Sequence, residues 1–165
     1  AIIVDRSEPL TDRLIAFYRS FAQVALSFIW VRLYMFAALE GLDIHKQVYR
    51  FIETRLIRPL CMEIRHSFGL PDVEALPLQE TELELVWSFH SRIFYLGIRQ
   101  HIYGMTLPHD LDAIIAAEAA TMTLGLGPFL AKHLEEDMKQ APNRRKKARL
   151  PKLQPDKSAT SVKQS

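Results

Sequence analysis

Two long apolar segments in the last third of the chain set the terms for its fold. Glu80 to Tyr103 reads as one helical stretch that stops at Gly104, and Leu111 to Ala131 follows after a short turn. The first is apolar on nearly every side, through Leu85, Val86, Trp87, Phe89, Ile93, Phe94, Leu96, Ile98 and Ile102. A helix without a polar face has to be covered on both sides. The second has alanines and other small residues three and four apart, which lets another helix come close. A single domain of 165 residues has too little surface to cover both. The sequence therefore predicts a homodimer in which the last two helices of each copy form a four-helix interface, with Ile98, Ile102, Ala113, Ala117, Ala120 and Leu124 on the shared face.

The rest of the chain also reads as helix. Strict alternation of apolar and polar residues hardly occurs, and no Asn-Gly or Asp-Gly turn is present, so the expected class is all-α, a multi-helix bundle. A first helix opens after Ser7 or Thr11, either of which can cap it, and carries Leu14, Phe17 and Phe21. A break near Ser27 leads to a second helix that Gly41 closes. A third, capped by Asp43, places Val48, Ile52, Leu56 and Leu60 on its inner face and ends at Gly69. Pro59 should kink or divide it near Arg55. Residues 70–80, with Pro71 and Pro77, form a connector, and Pro128 should bend the final helix. The expected organisation is residues 1–10 as the end of a connector, residues 11–138 as one helical domain, and residues 139–165 as a basic disordered tail.

Charge sharpens that division. Residues 1–138 hold 12 Lys and Arg against 18 Asp and Glu, whereas residues 139–165 hold nine basic residues and one acid, Asp156. An acidic folded part is a poor stand-alone partner for nucleic acid. In the tail, Arg144, Arg145, Lys146 and Lys147 are open to a non-specific phosphate contact, or simply keep the end solvated. Cys61 is alone, which fits a reducing, cytoplasmic compartment, and it reads as a small buried hydrophobe. Ala1 opens the chain without an initiator Met, as in a processed chain or a piece of a longer one. No signal peptide is legible, and Leu111–Ala131 carries Asp112, Glu118 and Pro128, which argue against a membrane span.

Catalytic constellations are thin. His90 and His101 share a helix face but stand about 16 Å apart along the axis, too far for one metal. Glu63 and His66 form a Glu-x-x-His with no second copy, so a di-metal bundle is not expected. His109 and Asp110 read as a turn and a helix cap. We expect no enzyme, no metal and no cofactor. The aromatics are more suggestive. Phe21, Trp30, Tyr34, Trp87 and Phe94, with Arg65 and His90 as polar anchors, would make a small-molecule pocket between helices. His90 has two readings here, a core histidine with one satisfied partner or a polar anchor in a cavity.

The order and lengths of these segments resemble the C-terminal half of a tetracycline-repressor (TetR) family transcription regulator over residues 8–137. Carrying the resemblance are SEPLTDRLIAFYRSFAQVAL, WVRLYMFAALEG, RFIETRLIRPLCMEIRHSFGLP, WSFHSRIFYLGIRQHIYG and a final Ala-rich helix. It implies a domain that binds a small effector among its helices, pairs through the last two, and alters the spacing of DNA-reading heads. The helix-turn-helix head that precedes this region in the family is absent, so DNA would be reached only through a missing N-terminal domain. The alternative is a helical protein–protein interaction module without a ligand.

Overall fold

The computed structural model describes residues 2–148, and among them no strand occurs. A 3-10 turn at Ile2–Val4 leads into α1 (Leu10–Ala25), α2 (Phe28–Leu39) and α3 (Ile44–Ile52). A five-residue π-turn, Glu53–Ile57, joins α3 to α4 (Arg58–Ser67), and α5 (Glu80–His101) and α6 (Leu111–Ala148) complete the chain. The all-α class is as the sequence predicts. The chain divides into two compact units, Ala1–Ala131 and Lys132–Ser165. In the second, Lys139 and Glu135 pair one turn apart at 3.8 Å.

Helix ends follow local chemistry, with some differences from expectation. Gly41, Gly69 and Gly104 close α2, α4 and α5, each with φ between 62° and 68°. Ser27 caps α2 by accepting from the Trp30 N–H, and Asp110 caps α6 by accepting from Ala113 N–H at 2.8 Å. Neither Ser7 nor Thr11 caps α1, whose N-cap position is Pro9. Asp43 precedes α3 but gives its carboxylate to Lys46 instead. Pro59 follows a division of the segment near Arg55, where the π-turn Glu53–Ile57 separates α3 from α4. It sits in the first turn of α4, where a missing N–H costs little. The turn before it widens so that the Arg58 N–H reaches back to the Glu53 carbonyl, five residues away.

α6 does not stop at Ala131, the end of the apolar segment. It runs to Ala148, so residues 139–148 are helical where composition had suggested a disordered tail. Lys, Arg, Ala and Gln are good helix formers, so a basic stretch is no bar to helix. Pro128 lies inside α6 without ending it. The rest of the expected tail, residues 149–165, and the side chains of Arg144, Arg145, Lys146 and Lys147 lie outside the described residues. By length and composition Leu111–Glu135 could cross a bilayer. Within the first unit its Ile115, Ala119, Met122 and Leu130 belong to the core.

That core gathers Leu14 and Tyr18 of α1, Leu60, Cys61 and Ile64 of α4, and Val86, Phe89 and Ile93 of α5. Each large apolar side chain buried there contributes about 1.5–3 kcal/mol. Gly97 lets α2 come against α5, since a Cβ there would stand 2.8 Å from Val31 Cγ2. α6 is tied in by a Thr11–Thr123 hydroxyl bond of 2.9 Å and by the ion pair Arg92–Glu118 at 3.0 Å. α2 is different. It buries only Val31 and Ala37 and leaves Phe28, Ile29, Leu33, Phe36 and Leu39 exposed.

Two ion clusters, each centred on a buried carboxylate, fix the outer elements. Glu63 accepts from Arg6 at 2.8 Å and from Arg13 at 2.9 Å, and Arg13 also donates to the Ile3 carbonyl. Ile3 is thus buried and Arg6 is anchored on α4. Arg65 makes a two-pronged bond to Glu82, 2.7 Å on each arm, with both side chains almost wholly buried. The guanidinium also donates to the carbonyls of Pro71, Asp72, Leu76 and Pro77. Glu82 in turn accepts from the Gln79 N–H, closing a capping box at the start of α5.

Removing one partner of such a pair strands the other charge in the interior. Arg65→Met should lower the unfolding free energy by about 3–5 kcal/mol in urea titrations, and Arg65→Met with Glu82→Leu should recover much of it. A single-variant loss below about 1 kcal/mol would show that the pair is not what holds the connector.

Candidate functional site

α1, α2, α3 and α5 line a half-open cavity of about 850 Å³, within the range of about 300–1,000 Å³ common for small-molecule sites. α1 contributes Phe17, Ser20 and Phe21, α2 contributes Trp30 and Tyr34, and α5 contributes Trp87, His90, Ser91 and Phe94. α3 forms a fourth wall through Ile44, Gln47, Val48, Tyr49, Phe51 and Ile52. None of the described residues lining it is an Asp, Glu, Lys or Arg.

The aromatic groups are in mutual contact. Tyr49 of α3 stacks on Trp87 of α5, 4.5 Å between centroids and 9° from parallel. Tyr34 meets Phe94 edge to face at 5.6 Å. Phe21 and Trp87 flank the His90 ring at 5.0 and 5.7 Å. Rings in such arrangements gain a little beyond the area they bury.

His90 is the polar centre of this wall. It is only 4% exposed, and its Nδ1 lies 3.2 Å from the hydroxyl of Tyr18, which is wholly buried. Burial among rings disfavours the charged imidazolium and pulls the His90 pKa down to about 4. Burial likewise pushes the Tyr18 hydroxyl up, so neither group ionises near neutrality.

Six of the seven residues expected in a pocket therefore lie along one cavity: Phe21, Trp30, Tyr34, Trp87, His90 and Phe94. Arg65 does not. Its guanidinium is consumed by Glu82 and four carbonyls, because a buried cation needs a counter-charge and full hydrogen bonding. His90 has one buried partner, Tyr18, and also lines the cavity. The α3 wall was missed. Its signal was the spacing of Ile44, Val48, Phe51 and Ile52, an apolar helical stripe of which only Val48 and Ile52 were read, as part of the helix's inner face.

Other candidates are spoken for. Glu63 is held below the usual carboxylate range, chiefly by its bond from Arg6, while His66 is exposed. Cys61 is buried, with its thiol pushed up to about 12. No group of three or more metal-ligating side chains converges among the described residues. Of the residues expected on a dimer face, Ala113, Ala117 and Leu124 of α6 and Ile102 of α5 are exposed in the single chain, while Ile98 and Ala120 are half-buried. Compared with protein-family models, curated proteins and solved structures, the chain gives no match to any of them.

The lowered His90 pKa fixes a pH response. An unfolded chain protonates this histidine near its ordinary 6.5, whereas the folded chain does so only near 4. Above pH 6.5 the difference contributes nothing. As the pH falls from 6.5 to about 4, the unfolded state gains a proton that the folded state refuses, so stability declines by roughly 3 kcal/mol across that window. Glu63 acts lower, because the stability it provides is lost only below its ordinary 4.5. His90→Phe should flatten the pH–stability profile between pH 6.5 and 4; the same slope in wild type and variant would mean that the ring titrates normally.

Proposed function

We propose that this chain is the ligand-responsive, dimerising domain of a cytoplasmic transcription regulator of TetR type. A small, mostly apolar effector occupies the cavity between α1, α2, α3 and α5. A second copy covers α5 and α6. The observation that carries the reading is the cavity itself: about 850 Å³, walled by aromatic rings from four helices, with one buried histidine facing in. A module that only packs against partners has no use for such a space. The exposed Ala113, Ala117 and Leu124 support the dimer, since small residues on one face let helices approach and Leu124 is 78% exposed in the isolated chain.

As a switch, the domain couples the cavity to the dimer face through α5. His90 and Phe94 face the ligand, and Ile98 and Ile102 lie one and two turns further along the same helix. An effector that prefers one setting of α5 biases the pairing of the two copies, typically by ~1–3 kcal/mol. DNA contact belongs to a helix-turn-helix head upstream of these residues, with the domain as the sensing half of a repressor.

Trp30 and Trp87 are the two tryptophans of the chain, and both line the cavity. Binding of the neutral dye N-phenyl-1-naphthylamine should quench their emission at one dye per chain, and Phe94→Glu should weaken it by about tenfold or more. Sedimentation should give a dimer for wild type and a monomer for Leu124→Arg. No quenching by the dye would defeat the ligand reading, and a monomeric wild type at micromolar concentration would defeat the dimer.

A further inference from the structure

The cavity carries information about the molecule it takes, and this step rests on the ligand reading above. Tyr18 is wholly buried, and among the described residues its hydroxyl has one hydrogen-bonding neighbour, His90 Nδ1. If Nδ1 carried the proton, the hydroxyl could only accept, and its own hydrogen would be left buried without an acceptor. A stranded donor is costly, so the hydroxyl donates and Nδ1 accepts. A neutral imidazole has one N–H, and with Nδ1 as acceptor that N–H is on Nε2. The ring stays neutral at physiological pH because burial opposes its charging.

Nε2 has no partner of its own. No hydrogen bond to it is made by the described residues, yet it is not among their sealed, unpartnered polar atoms, of which there is one, Arg13 Nε. It is therefore open to the cavity that His90 lines. The surroundings are the rings of Phe21, Trp87 and Phe94. No fixed charge stands in the lining to neutralise a charged guest.

We infer that the ligand is an uncharged, ring-bearing molecule with a hydrogen-bond acceptor, such as a carbonyl or ether oxygen, that receives the Nε2–H of His90 and stacks among Phe21, Trp87 and Phe94. Tyr18 acts as a positioning residue, since it sets which ring nitrogen carries the proton without touching the guest.

Three matched probes test this by displacement of N-phenyl-1-naphthylamine: benzophenone, its hydrocarbon counterpart diphenylmethane, and the anion 4-benzoylbenzoate. Wild type should favour benzophenone over diphenylmethane by about tenfold, the value of one shielded hydrogen bond. It should bind the anion weaker than the ketone by a similar factor. In His90→Phe the ketone-over-hydrocarbon ratio should fall to about one, whatever the absolute affinities become. The infrared carbonyl band of bound benzophenone should lie below its position in an alkane solvent, a readout that needs no variant. Equal binding of ketone and hydrocarbon by wild type, an unshifted carbonyl, or tight binding of the anion would overturn this inference while leaving a ligand cavity in place. Failure of every neutral probe would instead remove the cavity reading on which it stands.

Discussion

A guanidinium and a carboxylate taken out of water are costly to bury, and the chain recovers that cost by making one pair do several jobs. Arg65 on α4 holds Glu82 on α5 with both arms, and its remaining donors gather four carbonyls of the connector between the helices. That connector has two prolines and no helix of its own, so little else defines its path. Glu82 also caps the helix that it begins. The start and direction of α5 thus depend on one ion pair. Trp87, His90 and Phe94 follow on that helix and inherit their positions from it.

The cavity exists because the four helices around it are arranged to leave space. Gly97 brings α2 against α5 at one end, through Leu26 and Val31. Further up α5, bulky rings hold the helices apart, with Tyr49 on Trp87 and Tyr34 on Phe94 acting as struts. Close contact at one end and aromatic spacing at the other leave the gap, which the side chains of α3 border as the fourth wall. The apolar surface of α2 is shared between that gap and the exterior, where Phe28, Ile29 and Leu33 remain uncovered.

Much of this was legible in the sequence. Period and breakers gave helices in the right order, and glycines marked three of their ends. Six of the cavity side chains could be chosen because Trp and Tyr beside a histidine on apolar helices make poor uniform core. Arg65 was misplaced for a physical reason: an arginine in an apolar stretch suits a pocket anchor or a buried ion pair equally well, and the deciding Glu82 is 17 residues away in sequence. The length of α6 was hidden because basic composition reports solvation and not backbone conformation. Tyr18 looked like ordinary core, and only its distance to His90 reveals its part.

The π-turn at Glu53–Ile57 has a consequence for the stripe of apolar residues that crosses it. In an unbroken α-helix, residues four apart drift by about 40° at each step, so Val48, Ile52, Leu56 and Leu60 would fan over about 120° of the surface. One surplus residue in the winding takes back roughly 100° and returns the four to nearly one line. Leu56 and Leu60 belong to the packed centre, Ile52 packs against it and also borders the hollow, and Val48 borders the hollow. A single miscounted rung on the spiral thus keeps one greasy ribbon running straight from the foundation into the lining of a room.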